Sequence, residues 1–316
     1  MLLTCYLILN NTLFMKKLLY LLILSSLIIS SCKKDDKFIA NNDAPSYYGV
    51  PTIKVKNYIN RIFIDLTGRE PLDIEMDSLV ILLESNNLNF ATRESIVLSL
   101  QTDTTPQTNG DNFKQLFHSN IYELQKARFL EGIPDFSIAQ EMGIQYSLAQ
   151  VDSLNGNLLS YFWRTQQGKI YEDILTSDTA LKNGSITFNE MCRRMCYNGL
   201  YDIINMNSFN YVNAVFDNMF YRFPTTDEFT ASYDMVDADI AGILFAQPGA
   251  SKYDFSTIAA NSTEFNDGMV TWVYRSYMSR FPTTSEIYNY STHFQSNSDL
   301  PFIIRELMKT DEYANF

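Results

Sequence analysis

The sequence predicts an all-α protein, in which helices are joined by Arg-x-Pro turns that recur along the chain. Apolar residues repeat at the helical spacing i, i+3, i+4, i+7 in several segments. Long alternating runs of the kind that predict strands are scarce. The composition, 46% hydrophobic against 19% charged, favours a folded globule over a disordered chain.

Three prolines mark three copies of one unit, which we call copy one, copy two and copy three. In each copy apolar residues stand 12, 9, 8 and 5 positions before the proline, an Arg stands two before it and a Glu four after it. The proline ends the approaching helix, because the residue before a proline avoids helical geometry. The apolar sets are Ile59, Ile62, Phe63 and Leu66; Val212, Val215, Phe216 and Met219; and Val270, Val273, Tyr274 and Tyr277. The turn residues are Arg69, Pro71 and Glu75; Arg222, Pro224 and Glu228; and Arg280, Pro282 and Glu286.

These turn residues are predicted to be structural. Thr225 with Glu228, and Thr283 with Glu286, fit the capping box that begins a helix. Copy one has Leu72 in place of the threonine, which predicts a weaker cap. Each Arg falls near a helix C-terminus, where it is expected to bind free carbonyl oxygens and to favour the negative end of the helix dipole.

A shorter acidic-aromatic motif, which we call the echo, recurs in the second half of the chain. Pro224 and Pro282 lie 58 residues apart, Thr263-Glu264-Phe265 precedes the first helix of copy three, and Asp311-Glu312-Tyr313 closes the chain. Periods of this size are typical of stacked helical repeats. A duplication inside one globular helical domain fits the pattern equally well.

The first turn resembles a known motif. Phe63-Ile64-Asp65-Leu66-Thr67-Gly68-Arg69-Glu70-Pro71 is similar to the L-x-G-R-x-P turn in helical domains of planctomycete-type surface proteins. The match is short, and copies two and three have Tyr221 and Ser279 in place of the glycine. The resemblance implies a helical fold and no particular activity.

The N-terminus has the pattern of a secretory signal over residues 1–31. Lys16 and Lys17 precede an apolar run from Leu18 to Ile29, which ends in Ser30 and Ser31. The run is shorter than the roughly 20 residues of a membrane-spanning helix. Met15 has the better context for a start, and residues 1–14 receive no role. An uncleaved membrane helix, or a cleaved signal beside an incidental cysteine, is the alternative.

The end of this signal resembles the lipobox of bacterial lipoproteins. The segment Leu27-Ile28-Ile29-Ser30-Ser31-Cys32 differs from most lipoboxes in having Ile29, where leucine is usual. The resemblance implies that Cys32 receives a diacylglycerol and becomes the first residue of the mature protein. Two or three acyl chains anchor a protein stably, because each buried CH₂ contributes roughly 0.8 kcal/mol.

Residues after Cys32 suggest an address and a linker. Lys33-Lys34-Asp35-Asp36 resembles the short export tag of Bacteroidetes surface lipoproteins, which implies the outer membrane with the protein facing the cell exterior. An ordinary solvated linker is the alternative. The polar stretch from Lys37 to Pro51 predicts a tether. We therefore expect a signal over 1–31, a lipidated cysteine and linker over 32–52, a helical region with copy one over 53–204, and a helical region with copies two and three over 205–316.

No motif for catalysis, metal binding or cofactor binding stands out. The two histidines, His118 and His293, lack the spacing of a zinc-binding H-E-x-x-H motif. No nucleophile elbow, Walker loop or dinucleotide-binding glycine motif is present. We therefore predict no catalytic residue, no metal and no cofactor.

Two small clusters could suggest a metal site, and both are expected to be structural. Cys192 and Cys196 follow a capping box at Thr187 and Glu190, so they lie four residues apart on one helix, where disulfide geometry is poor. The better interpretation is that both cysteines are small apolar side chains buried in the core. Asp234, Asp237 and Asp239 lack the glycine and the distal glutamate of an EF-hand loop.

The expected function is binding. The net charge of −12 disfavours nucleic acid as a partner. We expect a lipid-anchored, non-catalytic binding or accessory protein of the outer membrane or cell surface, whose partners are the membrane, through the anchor, and other envelope proteins. One alternative is a lipoprotein that captures glycan or peptide in an exposed aromatic groove. Another is a hydrolase in which two carboxyl groups converge in a pocket.

Overall fold

A computed structural model of the chain describes residues 49–107 and 110–316. The described residues belong to one compact unit. The predicted signal over 1–31, Cys32 and the tag residues Lys33, Lys34, Asp35 and Asp36 lie outside the described residues.

Sixteen helices and one two-stranded hairpin form the described part of the chain, so the prediction of an all-α fold is confirmed. The hairpin interrupts copy two, with β1 and β2 paired antiparallel. The elements are α1 (Thr52–Thr67), α2 (Asp73–Ser85), α3 (Phe90–Thr102), α4 (Phe113–Leu130), α5 (Asp135–Leu154), α6 (Leu158–Leu175), α7 (Ser177–Lys182), α8 (Phe188–Cys196), α9 (Gly199–Asn205), α10 (Ser208–Phe220), α11 (Thr226–Ala238), β1 (Gly242–Leu244), β2 (Gln247–Gly249), α12 (Lys252–Ala260), α13 (Thr263–Met278), α14 (Thr284–Asn297), α15 (Leu300–Met308) and α16 (Asp311–Ala314).

The three copies have the same succession of three helices, followed by the start of a fourth. Copy one is α1, α2 and α3; copy two is α10, α11 and α12; copy three is α13, α14 and α15. Helix α13 directly follows copy two and is the first helix of copy three. The twelve apolar residues that define the repeat are all buried, so the predicted face of each first helix lies in the core.

The residue three before each proline adopts the left-handed conformation in all three copies. Its φ is 70° at Gly68, 57° at Tyr221 and 54° at Ser279. Only glycine adopts this conformation without a steric penalty, which for other residues is about 1–2 kcal/mol. Copies two and three therefore keep the backbone of the L-x-G-R-x-P turn although they lack its glycine.

A fourth turn has the same left-handed residue but lacks the charged residues. Helix α4 ends at Glu131, whose φ is 52°, three residues before Pro134 and helix α5. The residues 12, 9, 8 and 5 before that proline are buried, but they include Gln125 and Lys126. Gly132 and Ile138 occupy the positions of the Arg and the Glu. This turn therefore resembles the three copies only in part, since α5 begins one residue after its proline and the helices of the copies begin two residues after theirs.

The end of copy three packs on copy one, so the duplicated units share one globular body. The Arg61 guanidinium on α1 donates hydrogen bonds to the carbonyl oxygens of Tyr277 and Tyr313. Gln101 on α3 donates to the carbonyl of Pro301 at 2.9 Å, and Arg305 donates to the Gln101 side chain. An open solenoid, in which each repeat touches only its neighbours, does not make such contacts.

Helices α10 and α13 approach closely at one glycine. A Cβ atom on Gly268 would lie 1.8 Å from the carbonyl oxygen of Met219. No side chain fits at that distance, so glycine sets the contact between the first helices of copies two and three.

Candidate functional site

The three predicted Arg residues form two-pronged ion pairs with the Glu of the same copy. In copy three, Arg280 Nη1 and Nη2 lie 3.0 and 2.8 Å from the two carboxylate oxygens of Glu286. The same carboxylate accepts the backbone N–H of Thr283 at 2.7 Å, so it also caps helix α14. The equivalent contacts hold for Arg69 with Glu75 and Leu72, and for Arg222 with Glu228 and Thr225.

Each guanidinium binds a free carbonyl oxygen, as expected, although this oxygen is not one of the last carbonyls of the preceding helix. The guanidinium instead donates to the carbonyl of the next residue, which is Glu70, Phe223 or Phe281. The Glu reaches both the Arg and the helix N-terminus, because it lies in the first turn of the following helix. Planar two-pronged pairing of this kind is stronger than a single bond to a neutral carbonyl.

A second carboxylate completes the pair in copies two and three. Glu264 pairs with Arg222 and Glu312 pairs with Arg280, which explains the acidic-aromatic echo in the sequence. Both carboxylates stand at the second position of the helix that follows the copy. In copy one this position is Lys114, which leaves Arg69 with one carboxylate partner among the described ion pairs.

The arginines hold these carboxyl groups in the charged form. Hydrogen bonds from Arg222 lower the pKa of Glu228 to about 2, and hydrogen bonds from Arg280 do the same for Glu286. Burial acts to raise the pKa of Glu75, but the bonds from Arg69 and the Leu72 N–H outweigh it, so this pKa is also lowered. In all three turns the Arg guanidinium and the Glu carboxylate are thus paired with each other.

Cys192 and Cys196 are both free and fully buried on α8, and Thr187 caps that helix as predicted. Burial raises the pKa of the Cys196 thiol to about 12, and it also raises that of Cys192. The described residues contain no group of three or more His, Cys, Asp or Glu side chains placed to hold a metal ion. Asp239, from the predicted cluster of three aspartates, adopts the left-handed conformation directly after α11.

The fold brings both histidines of the chain to one cavity, which the sequence did not predict. This cavity of about 580 Å³ is lined largely by apolar side chains, including Phe117, Ile121 and Phe188, together with His118 and His293. The histidines come from α4 and α14, which are remote in sequence. We call this space the histidine cavity.

The two imidazoles have different surroundings. His118 Nδ1 lies 2.7 Å from the carbonyl oxygen of Lys114, to which it must donate. Burial lowers the pKa of His118, so the ring is neutral at pH 7 and its Nε2 is an acceptor. His293 stacks on Phe302, with ring centroids 4.0 Å apart, and its Nε2 is buried without a hydrogen-bond partner.

A larger feature is the helical hairpin of α5 and α6, which exposes nine large apolar side chains. Its tip runs from Val151 to Trp163, and every residue from Ser153 to Ser160 is exposed. Leu154 and Leu159 expose 82% and 87% of their surface. The exposed apolar residues of the hairpin are Phe136, Ile144, Leu148, Val151, Leu154, Leu158, Leu159, Phe162 and Trp163.

The carboxyl group of Asp65 is shifted toward the neutral form. Burial raises its pKa, and its Oδ2 accepts a hydrogen bond from the Tyr313 hydroxyl at 2.6 Å. This contact joins α1 to α16.

In the described ranges, no helix is both long enough and apolar enough to cross a bilayer. No family model, no characterised protein sequence and no solved structure matches this chain.

Proposed function

We propose that this chain is a lipid-anchored, non-catalytic binding or accessory protein of the bacterial outer membrane, facing the cell exterior. The lipobox-like segment ending at Cys32 and the tag-like residues after it support the address. The first helix of the described residues, α1, begins at Thr52, twenty positions after that cysteine. Other envelope proteins are the proposed partners.

The exposed apolar surface of the α5–α6 hairpin carries the proposal of a binding role. Exposed apolar patches on a soluble body mark places where it binds something else. The hairpin packs on the rest of the body through α6, which contacts α7 and α8. Such a surface suits binding and supplies no catalytic group.

Copurification tests the accessory role. The protein is isolated from crosslinked membranes through a C-terminal tag, and the copurifying proteins are identified by mass spectrometry. We expect a defined set of envelope proteins, retained in the control variant Ile74→Gln/Ile203→Gln, whose sites are exposed elsewhere on the body. A protein that comes out alone under these conditions would contradict the accessory role.

The histidine cavity favours a second candidate function, the capture of a small ligand. Its apolar walls and its two imidazoles give shape and hydrogen-bonding specificity together, as in many small-molecule sites. Because the chain has two histidines, a proton NMR spectrum has two sets of imidazole signals. Ligand capture predicts that a glycan or peptide from a screened set shifts both sets. A compound that binds but shifts neither would exclude the cavity as its site.

A further inference from the structure

The tip of the α5–α6 hairpin, taken together with the neighbouring Arg164, has no net charge, although the chain as a whole is strongly acidic. The charged residues between Gly143 and Gln167 are Asp152 and Arg164, and they pair with each other at 2.8 Å. The whole chain has a net charge of −12. Moving this part of the hairpin from water into an apolar phase therefore transfers no net charge.

Four backbone N–H groups in the turn of the hairpin are bonded within the hairpin. The N–H groups of Asn155, Gly156 and Asn157 bond to the carbonyls of Val151, Ser153 and Asp152, and that of Leu158 bonds to Gly156. An unsatisfied backbone group is what makes a loop costly in an apolar phase. These four N–H groups are paired within the hairpin, so they add little to the cost of moving the turn out of water.

The shape of the tip favours a deformable partner over a rigid one. Leu154, Leu158 and Leu159 are exposed by 82%, 58% and 87%, and they belong to both helices around a convex end. A flat or grooved protein surface would cover one side of such an end. A lipid bilayer would cover all sides.

We propose that the tip of the α5–α6 hairpin inserts into the lipid bilayer, with Leu154, Leu158 and Leu159 among the acyl chains and Trp163 at the headgroup boundary. Tryptophan and tyrosine favour that boundary because their rings are amphipathic. Leu159 and Arg164 are five residues apart on α6, which corresponds to about 7–8 Å along the helix. The Asp152–Arg164 pair would then stay near the headgroups, since shallow insertion reaches about 5–10 Å.

The inference rests on the proposed function in one respect, because lipid on Cys32 would hold the tip close to the membrane. Anchoring converts insertion into an intramolecular event and so raises the effective concentration of bilayer at the tip. The insertion itself depends on the hairpin alone. The two ideas can therefore fail separately.

The chain has a built-in reporter for this insertion. Of its two tryptophans, Trp163 is 56% exposed at the tip and Trp272 is 4% exposed in the core. The full chain, purified from membranes, is reconstituted in phosphatidylcholine vesicles that contain brominated phosphatidylcholine, which quenches tryptophan fluorescence on contact. Subtracting the signal of the Trp163→Phe variant, which keeps Trp272, gives the signal of Trp163.

Insertion predicts at least twofold quenching of Trp163, strongest with bromines near the headgroup end of the acyl chain. The variant Leu158→Gln/Leu159→Gln keeps helix-forming residues at exposed sites and should lose most of this quenching. The matched variant Ile74→Gln/Ile203→Gln changes two side chains that are 75% and 72% exposed elsewhere, and it should behave like the wild type.

Unquenched Trp163, or equal quenching in the Leu158→Gln/Leu159→Gln variant, would overturn the proposal. A Trp163 emission that instead shifts with protein density in unbrominated vesicles would assign the tip to a second copy of the chain, and would overturn it too. The mass of the Cys32 peptide from the same preparation reports the anchor independently. Quenching without lipid on Cys32 would support insertion and reject the anchor, whereas lipid without quenching would do the reverse.

Discussion

Lowering the pH from about 5 to about 2 should destabilise the protein through Glu228 and Glu286. Their pKa in the folded chain is about 2, whereas a free glutamate titrates near 4.5. Below pH 4.5 the unfolded chain takes up these protons first, which favours unfolding. The stabilisation is thus complete above pH 4.5 and is lost as the pH falls toward 2.

The magnitude follows from the size of the two pKa shifts. At 1.36 kcal/mol per pKa unit, each shift corresponds to about 3 kcal/mol before solvent screening is considered. The carboxylates are about a quarter exposed, with side-chain exposures of 21% and 27%. Screening and side-chain ordering reduce the contribution to about 1–2 kcal/mol for each pair.

The assay is urea unfolding of the wild type and of the Glu228→Gln/Glu286→Gln variant across this pH range. The variant should be less stable by about 2–4 kcal/mol near pH 5, and the difference should vanish near pH 2. The control Glu70→Gln/Asp77→Asn also removes two carboxylates, both exposed, and should change stability by less than about 1 kcal/mol. A stability difference that does not depend on pH would refute the reasoning.

Three further predictions concern single sites. Gly268→Ala should destabilise the protein by more than about 3 kcal/mol in urea unfolding, because the new Cβ would meet a backbone oxygen. The control Gly143→Ala, on an open helix face, should stabilise the protein by about 0.5–1 kcal/mol. Equal effects of the two substitutions would contradict the close contact at Gly268. Ser279→Gly should raise stability by about 1 kcal/mol, since it removes a left-handed serine, and a lowered melting temperature would reject this account. Cys192 and Cys196 should resist iodoacetamide at pH 8 until the protein is unfolded, which peptide mass spectrometry measures; rapid labelling of the native protein would show that they are not buried.

Local features of the fold were readable from the sequence. The helix caps at Thr225 and Thr283 depend on residues three positions apart, and both have the predicted hydrogen bonds. The apolar sets before each proline predicted the buried faces, because helical spacing alone decides which side chains share a face.

Features that depend on distant residues were not readable. The motif containing Glu264 was visible as an echo, but its partner Arg222 lies 42 residues away, and spacing does not reveal such a pair. The fourth turn escaped notice because Gln125 and Lys126 interrupt its apolar face. Lys126 is buried there with its ammonium group paired to Glu123 and Asp135.

The candidate sites were missed for two physical reasons. His118 and His293 meet only because α4 and α14 pack in one body, which no short motif encodes. The apolar run Leu158-Leu159 with Phe162 and Trp163 was visible, but apolar residues in a helix are usually core. Their exposure depends on whether another element covers them.

Metabolic labelling with an alkyne-modified fatty acid tests the central claim, the lipid anchor at Cys32, most directly. The wild type and the Cys32→Ala variant are expressed in a bacterial host, and label and membrane fraction are measured for each. The account predicts that the wild type carries the label in the outer membrane fraction and that the variant carries none. Equal labelling of the two proteins, or an unlabelled wild type, would contradict it.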